Sequence, residues 1–269
     1  MSETRVPAVV VGAGPSGLGC AVELAPHVPV VLIDRLPVFG GAAGWDRPEI
    51  RDQAAAAAAL GVEPLLGQTA IRWSGERLLV LGPGSCRWLT AQHLFMAGGL
   101  RPATVADLGI TGDRPAGVVA ATVAEHLLDT GVALWRTVVI VGEGPWAARV
   151  AGRARALGSR IIALGSGARW ADEHLGRPDR CSIIGRDRVQ ALRLEYDGTG
   201  AASVDVACDA VVLAADPVPN RNVDGAVRPG SPGVTFVQPA SPHDIAGRFG
   251  AARCAAREWL RTTGKVLQK

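Results

Sequence analysis

The stretch AVVVGAGPSGLGCAVELA at residues 8–25, followed by VPVVLIDR at residues 28–35, is the strongest indicator of architecture in this chain. It predicts a buried strand, a glycine turn, a helix and a second strand that ends in an acid. Gly12, Gly14 and Gly17 have the spacing G-x-G-x-x-G. In this pattern the first glycine permits a tight turn, the second lets a pyrophosphate approach the backbone, and the third lets the helix pack closely on the strand. The stretch therefore predicts a dinucleotide-binding βαβ unit.

The candidate ligand-binding residues lie on this turn and at the end of the second strand. N–H groups at the start of the helix face a phosphate, and Asp34, roughly 20 residues after the turn, can accept hydrogen bonds from a ribose. An ordinary tight turn would explain the glycines, but it would not explain the flanking strands and the terminal acid. The candidate residues of this first site are Gly12, Ala13, Gly14, Pro15, Ser16, Gly17, Asp34 and Arg35.

Length and charge exclude several classes of protein. The chain has 269 residues, about twice the usual domain length, and 48% of them are hydrophobic, which is enough for substantial cores. The net charge of +3 is spread along the chain, so we expect neither a nucleic-acid partner nor a membrane surface. The sequence has no long apolar run and no signal-peptide pattern at its N-terminus, so we expect a cytoplasmic protein.

The cysteines and histidines are scattered along the chain. Neither type shows a spacing typical of metal ligands, so we expect structural thiols and no metal site. The cysteines are Cys20, Cys86, Cys181, Cys208 and Cys254.

The sequence TVVIVGEGPWAARVAGRARALGSRIIALG at residues 137–165 repeats the first pattern. Gly142 and Gly144 occupy the first two glycine positions and Ala147 the third, as in the G-x-G-x-x-A variant. Gly165 stands where the ribose-binding acid is expected, which disfavours NAD. Arg169 could pair with a 2′-phosphate, which favours NADP if a nicotinamide cofactor binds, but it is equally typical of a solvated loop.

Two alternatives stay open for this second unit. It either retains the fold without a ligand or holds only a mononucleotide. Trp146 lies inside the second glycine turn, where its ring could stack on a ligand or block the phosphate site.

Between the two repeats, residues 61–73 and 77–99 are typical of successive short strands in a β-meander. With these features the chain resembles the FAD-dependent pyridine nucleotide-disulfide oxidoreductases, in their compact thioredoxin-reductase-like form, over essentially its whole length. The resemblance implies an α/β fold with two Rossmann-like domains, each with a parallel sheet, the second inserted into the first. The expected boundaries give an FAD-binding domain of residues 1–113 and 218–269 and an NAD(P)-binding-like domain of residues 114–217.

The resemblance also assigns cofactor contacts. The first-site residues named above match the family's site for the FAD pyrophosphate and ribose. Gly40 and Gly41 match the glycine pair near its flavin. Ala97, Gly98 and Gly99 match its A-T-G turn, with Gly98 in place of threonine.

The chain departs from the family at its redox cysteines. Thioredoxin reductases carry C-x-x-C shortly before the second Rossmann strand, whereas residues 116–137 contain no cysteine. Thiol–disulfide exchange needs a thiolate, so we expect no such activity.

The family's late flavin motif is also altered. Gln238 and Pro239 stand where the family has Gly-Asp, whose acid binds the ribityl chain. Asp244 either substitutes for that acid or caps the helix predicted over residues 245–260, and capping is the simpler interpretation. The stretch between Gly41 and Gly61 looks shorter than in the family, and the chain ends at Lys269 without a cysteine-bearing extension, as in a trimmed relative.

Catalytic side chains cannot be assigned from the sequence, because in flavoenzymes the isoalloxazine carries the redox chemistry. Trp45, Asp46 and Arg47 follow the glycine pair and could approach a flavin, although such residues more often lie on the surface or pack.

Residues 113–128 look most like the α-type subunits of opine oxidase, hydrogen cyanide synthase and related amino-acid dehydrogenase complexes, which work beside a second flavoprotein. The resemblance implies an FAD-dependent oxidoreductase that acts on a small-molecule substrate. It would be linked to NADP(H) if the second site is filled, and part of a homo- or hetero-oligomer, with a second flavoprotein as a candidate partner. Two alternatives are a degenerate flavoprotein-fold subunit that binds FAD or an adenine nucleotide in a structural or regulatory role, and a flavin enzyme with no net redox change.

Overall fold

The computed structural model describes residues 4–132, 134–165, 169–197, 202–220, 227, 230–237 and 244–264. The chain forms two compact units: unit 1 comprises residues 1–100 and 219–269, and unit 2 comprises residues 101–218. The chain passes from unit 1 to unit 2 at a first crossing between residues 100 and 101, whereas the sequence predicts it between residues 113 and 114. The difference arises because Val105 and Ile110 belong to a hydrophobic core of unit 2. The second crossing lies at 218/219 instead of 217/218. The short strands β7 (Leu100–Arg101) and β17 (Val218–Pro219) lie at these crossings.

Unit 1 contains one sheet in the order β3-β2-β1-β6-β5-β4, with β18 paired to β6. Strands β1, β2, β3, β6 and β18 pair in parallel, whereas β4, β5 and the start of β6 form the expected antiparallel meander. The strands are β1 (Thr4–Val11), β2 (Val30–Asp34), β3 (Glu63–Leu66), β4 (Thr69–Trp73), β5 (Arg77–Gly82), β6 (Ser85–Met96) and β18 (Val234–Phe236).

Strand β1 divides two cores, because successive side chains of a strand point to opposite faces. Ala8 and Val10 belong to the core that includes helices α1 (Pro15–Leu24), α2 (Pro48–Ala59) and α5 (Ile245–Thr262). Val9 and Val11 belong to the core that includes the meander. This two-sided burial explains why residues 8–11 of the strand are all apolar.

Helix α5 packs on α1 within one core of unit 1. Arg257 and Glu23 form an ion pair at 2.6 Å, and a Cβ on Gly19 would lie only 2.9 Å from the Phe249 carbonyl oxygen. Asp244 caps α5, because its carboxylate accepts a hydrogen bond of 2.8 Å from the Gly247 N–H. The capping interpretation is therefore confirmed, while Gln238 and Pro239 lie outside the described residues.

Unit 2 has a parallel sheet in the order β12-β11-β10-β16-β9, with helices α3 (Ala121–Leu128) and α4 (Ala147–Ala156). A second sheet, in the order β15-β14-β13-β8, contributes to the core on the other face. The strands are β8 (Thr111–Gly112), β9 (Val118–Ala120), β10 (Thr137–Val141), β11 (Arg160–Leu164), β12 (Glu173–Leu175), β13 (Arg180–Gly185), β14 (Val189–Tyr196), β15 (Ala202–Ala207) and β16 (Ala210–Leu213). Units 1 and 2 thus each contain the βαβ element that the sequence predicts.

Candidate functional site

The first glycine turn, residues 12–17, lies at the carboxyl end of β1. The Gly12 N–H donates a hydrogen bond of 2.7 Å to the Ile33 carbonyl, and a Cβ on Gly12 would lie 2.2 Å from the Ala97 carbonyl oxygen. A Cβ on Gly17 would lie 1.6 Å from the Gly12 carbonyl oxygen. The chain's own packing therefore requires glycine at positions 12 and 17.

Gly14 has a different explanation. Its φ of −77° suits any residue, and a Cβ there would meet the Gly40 carbonyl oxygen at an ordinary 3.6 Å. Helix α1 begins directly after it at Pro15, and no side chain caps the helix. The turn thus presents a bare backbone position next to a helix N-terminus without a side-chain cap, which is the arrangement that a pyrophosphate needs.

Asp34 holds its carboxylate against this turn. One oxygen accepts a hydrogen bond of 2.6 Å from the Ala13 N–H, and the other accepts one of 2.8 Å from the Leu36 N–H. Ser16 is buried in the first turn of α1, whereas Arg35 is exposed and makes no hydrogen bond or ion pair with the described residues. A carboxylate at this strand end can also accept hydrogen bonds from a ribose.

Two further segments meet the first turn, in agreement with their grouping from sequence. The Gly40 N–H donates a hydrogen bond of 2.8 Å to the Ala13 carbonyl, and a Cβ on Gly41 would lie 3.5 Å from the Gly14 Cα. The Ala97 N–H donates to the Val11 carbonyl at 2.8 Å.

Asn220 fixes the turn that follows β6. Its side-chain amide donates to the Gly98 carbonyl at 2.9 Å, and its backbone N–H donates to the Gly99 carbonyl at 3.0 Å. Sequence analysis assigns no role to Asn220, whose only signal is its polar side chain at the point where the chain returns to unit 1.

Trp45, Asp46 and Arg47 are exposed, and their approach to a flavin stays a prediction. The Arg47 guanidinium donates locally to the Ala43 carbonyl at 2.9 Å. Trp45, 62% exposed, borders a cavity of about 290 Å³ in unit 1. The cavity is lined by Pro37, Val38, Phe39, Trp45, Ile50, Arg51, Ala54 and Leu66.

The second glycine turn, residues 142–147, lies at the carboxyl end of β10. In this turn the second glycine is hydrogen-bonded at the end of a neighbouring strand, and, unlike in the first turn, a helix does not begin directly after it. The Gly144 N–H donates to the Ala214 carbonyl at 2.8 Å, and a Cβ on Gly144 would lie 2.5 Å from that oxygen. Helix α4 begins only at Ala147, after Trp146. Packing against the end of β16 therefore explains this glycine without a ligand.

The Trp146 ring is 5% exposed and belongs to the core of unit 2 formed with α3 and α4. Core packing, and not an exposed stacking face, accounts for this tryptophan.

A carboxylate lies where the second site was expected to lack one. A Cβ on Gly165 would lie 3.0 Å from a carboxylate oxygen of Glu143. Sequence analysis missed Glu143, whose only signal is an acid between two glycines. Arg169 is exposed and makes no hydrogen bond or ion pair with the described residues.

All five cysteines are free. Burial raises the pKa of Cys181 to about 11 and that of Cys208 to about 11, and it raises the pKa of Cys20 above its usual range. Cys86 and Cys254 are exposed.

Within the described residues no cluster of His, Cys, Asp and Glu could hold a metal ion. No helix in the described part of the chain is both long and apolar enough to cross a membrane.

Comparisons with known proteins agree with this architecture. The family model described as pyridine nucleotide-disulphide oxidoreductase matches residues 6–177, more than half of the chain. No curated protein sequence matches significantly.

Solved structures share the fold at low sequence identity. Thioredoxin reductase from Lactococcus lactis has a TM-score of 0.65 and 16% identity, over 97% of this chain and 100% of that one. L-proline dehydrogenase from P. horikoshii has a TM-score of 0.57 and 16% identity, over 100% of this chain and 58% of that one. An NAD-dependent persulfide reductase from A. fulgidus has a TM-score of 0.63 and 15% identity, over 95% of this chain and 59% of that one. This chain therefore spans under two thirds of the length of the last two.

Proposed function

The chain belongs to the pyridine nucleotide-disulphide oxidoreductase family, and we propose that it is an FAD-dependent oxidoreductase whose FAD is held by unit 1. The observation that carries the proposal is the open first turn. Gly14 is a glycine that packing does not require, α1 has no side-chain cap, and Asp34 is fixed beside both.

Different residues of unit 1 would bind different parts of FAD. Backbone N–H groups at the start of α1 would bind the pyrophosphate, because they carry the positive end of the helix dipole. Asp34 would accept hydrogen bonds from the adenosine ribose. Asn220 would keep the Gly98–Gly99 turn in place next to the cofactor. When bound, the flavin would supply the redox chemistry, and the protein would position it and tune its electronics.

We further propose that the protein is not a disulfide reductase. That reaction needs a pair of neighbouring reactive thiols. Cys181 and Cys208 interact electrostatically, but burial raises the pKa of each to about 11, so neither is a reactive thiolate near neutral pH. Cys20 is buried, and Cys86 and Cys254 lie exposed in different elements, β6 and α5. Free thiols are also typical of a cytoplasmic location, which we include in the proposal.

The substrate class that we favour is a small amine or amino acid. Two likenesses support it: residues 113–128 look like the α-type subunits of amine- and amino-acid-oxidising complexes, and one structural neighbour is an L-proline dehydrogenase. A second flavoprotein subunit is the corresponding partner, so we propose a homo- or hetero-oligomer.

Electrons would be exchanged with a nicotinamide nucleotide in unit 2 or with that partner. The preference for NADP rested on Arg169 and on the missing acid at Gly165. The Glu143 carboxylate removes the second of these grounds.

A second candidate function is a non-catalytic subunit that stabilises or regulates a partner. The closed second turn favours it, because the Gly144 N–H is already bonded to the Ala214 carbonyl. A flavin enzyme with no net redox change is a third candidate.

The visible absorption spectrum of the purified protein tests the proposal, recorded anaerobically before and after addition of NADPH and then NADH. Oxidised-flavin bands that a nicotinamide nucleotide bleaches are expected of the two-site oxidoreductase. Bands that bleach only with an amine substrate, added alone or with a partner subunit, would identify that amine as the electron donor. Absence of flavin after incubation with excess FAD would overturn the proposal and favour the non-catalytic subunit.

A further inference from the structure

The two βαβ elements share a register that makes their residues equivalent. In unit 1 the Gly12 N–H donates to the Ile33 carbonyl, and in unit 2 the Gly142 N–H donates to the Leu164 carbonyl. Asp34 directly follows Ile33, and Gly165 directly follows Leu164. Gly165 is therefore the counterpart of Asp34.

The same register makes Glu143 the counterpart of Ala13, because each follows the first glycine of its turn. In unit 1 the carboxylate belongs to the strand end and reaches the turn, where it accepts from the Ala13 N–H at 2.6 Å. In unit 2 the carboxylate belongs to the turn and reaches the strand end, 3.0 Å from where a Cβ on Gly165 would lie. The acidic residue is on the second strand in unit 1 and on the glycine turn in unit 2. In both units its carboxylate lies between the glycine turn and the end of the second strand.

We infer that Glu143 is a specificity-determining residue of unit 2, which selects a nucleotide with a free 2′-hydroxyl and rejects one with a 2′-phosphate. A carboxylate at this strand end can accept hydrogen bonds from ribose hydroxyls. The same carboxylate repels a 2′-phosphate, since both groups are anionic. Unit 2 should therefore prefer NAD(H) to NADP(H), the reverse of the preference predicted from sequence.

The absence of a side chain at Gly165 supports this assignment. With no side chain of its own, Gly165 leaves room for the Glu143 carboxylate, and a Cβ there would press on it at 3.0 Å. Arg169, which could pair with a 2′-phosphate or belong to a solvated loop, is exposed.

This inference rests on the proposed function insofar as unit 2 must bind a nicotinamide dinucleotide. The test is titration calorimetry of the FAD-loaded protein with NAD⁺ and, separately, NADP⁺, because neither oxidised nucleotide reduces an oxidised flavin. We expect NAD⁺ to bind at least about tenfold more tightly than NADP⁺. In Glu143→Gln that ratio should fall about tenfold, through weaker NAD⁺ binding and stronger NADP⁺ binding.

Two variants keep the result interpretable. Glu143→Asp retains the charge and should retain the preference for NAD⁺. Glu195→Gln removes the same charge from β14, where Glu195 faces Arg180 at 3.6 Å, and should leave both affinities unchanged. Flavin content, measured for each variant, reports whether unit 1 is folded, and urea unfolding followed by circular dichroism reports whether unit 2 is folded.

Tighter binding of NADP⁺ by the wild-type protein would overturn the inference, as would an unchanged ratio in Glu143→Gln. Failure of both nucleotides to bind a protein that contains FAD would also overturn it, while the flavin assignment would stand. Absence of flavin would instead refute the proposed function.

Discussion

The two glycine turns have their first two glycines at equivalent positions, yet the chain closes them in different ways. In unit 1, α1 starts immediately after Gly14, and the space beside that glycine is free of close protein atoms. In unit 2, Gly144 is bonded to the Ala214 carbonyl, and α4 starts only at Ala147.

This difference shows that a G-x-G pattern has two physical origins. A glycine whose added Cβ would strike the protein is explained by packing, as at Gly144. At Gly14 an added Cβ would fit in a backbone conformation open to any residue, so packing does not require this glycine, and its position directly before a helix without a side-chain cap leaves the backbone open to a ligand. The open turn of unit 1, with its uncapped helix and Asp34 beside it, is therefore the better candidate for the FAD pyrophosphate.

The largest expected effect comes from Gly17→Ala, which distorts the first glycine turn by placing a methyl group against it. The new methyl group would lie 1.6 Å from the Gly12 carbonyl oxygen, so α1 must move away from β1. We expect destabilisation of about 3 kcal/mol and loss of bound FAD, measured by urea unfolding and flavin absorbance.

Gly152→Ala is the matched control, since it is the same change in helix α4, where no atom beyond the neighbouring residues and the helix's own backbone lies within 4 Å of the new methyl group. It should keep its flavin and gain up to about 1 kcal/mol, because alanine favours helix. Normal flavin content in Gly17→Ala would contradict the packing argument.

A smaller effect is expected from Asp34→Asn, which removes the charge but keeps the shape of the acid beside the first turn. Loss of a charge-assisted hydrogen bond to a ribose should weaken FAD binding about tenfold, or about 1.4 kcal/mol. Equilibrium titration of the apoprotein with FAD measures this change. Glu143→Gln, the corresponding change in unit 2, should leave the FAD affinity unaltered, and equal losses in both variants would refute the separation of roles.

The smallest effect is expected from Asp172→Asn, which changes unit 2 alone. The Asp172 carboxylate accepts from the Ile161 N–H at 2.7 Å and from Arg155 at 2.6 Å, and these bonds lower its pKa. Because the side chain is 41% exposed, we expect a loss of at most about 1 kcal/mol near pH 7.

The pH dependence of that loss has a definite sign. A pKa lowered by folding stabilises the protein above the unfolded value, and this contribution disappears as pH falls through the folded pKa. The deficit of Asp172→Asn relative to wild type should therefore shrink below about pH 4. Urea unfolding across pH checks this, with the exposed Asp113→Asn as a control that should show no deficit. A deficit that grows in acid would contradict the assignment.

Much of the fold was predictable because it depends on local sequence. The apolar run of β1, the glycine spacing and the terminal Asp34 together specify a βαβ element, and the repeat at residues 137–165 specifies a second one. The capping role of Asp244 was also predictable, since an acid directly before a helical pattern is a common helix start.

The remaining features depend on contacts between distant parts of the chain. The carboxylate of Glu143 at Gly165 and the bond from Gly144 to Ala214 appear only when β10, β11 and β16 lie side by side. The first passage between the units lies at 100/101 and not at the expected 113/114 for the same reason, because the burial of Val105 in unit 2 is a tertiary property.

The most direct test of the account is the amount and identity of flavin released from the purified, FAD-saturated wild-type protein after denaturation. An FAD site in unit 1 and no FAD site in unit 2 predict about one FAD per chain, with the adenine half present because Asp34 is placed to bind its ribose. A protein that retains no flavin, or that retains FMN as readily as FAD, would contradict the claim that the first turn is a dinucleotide site.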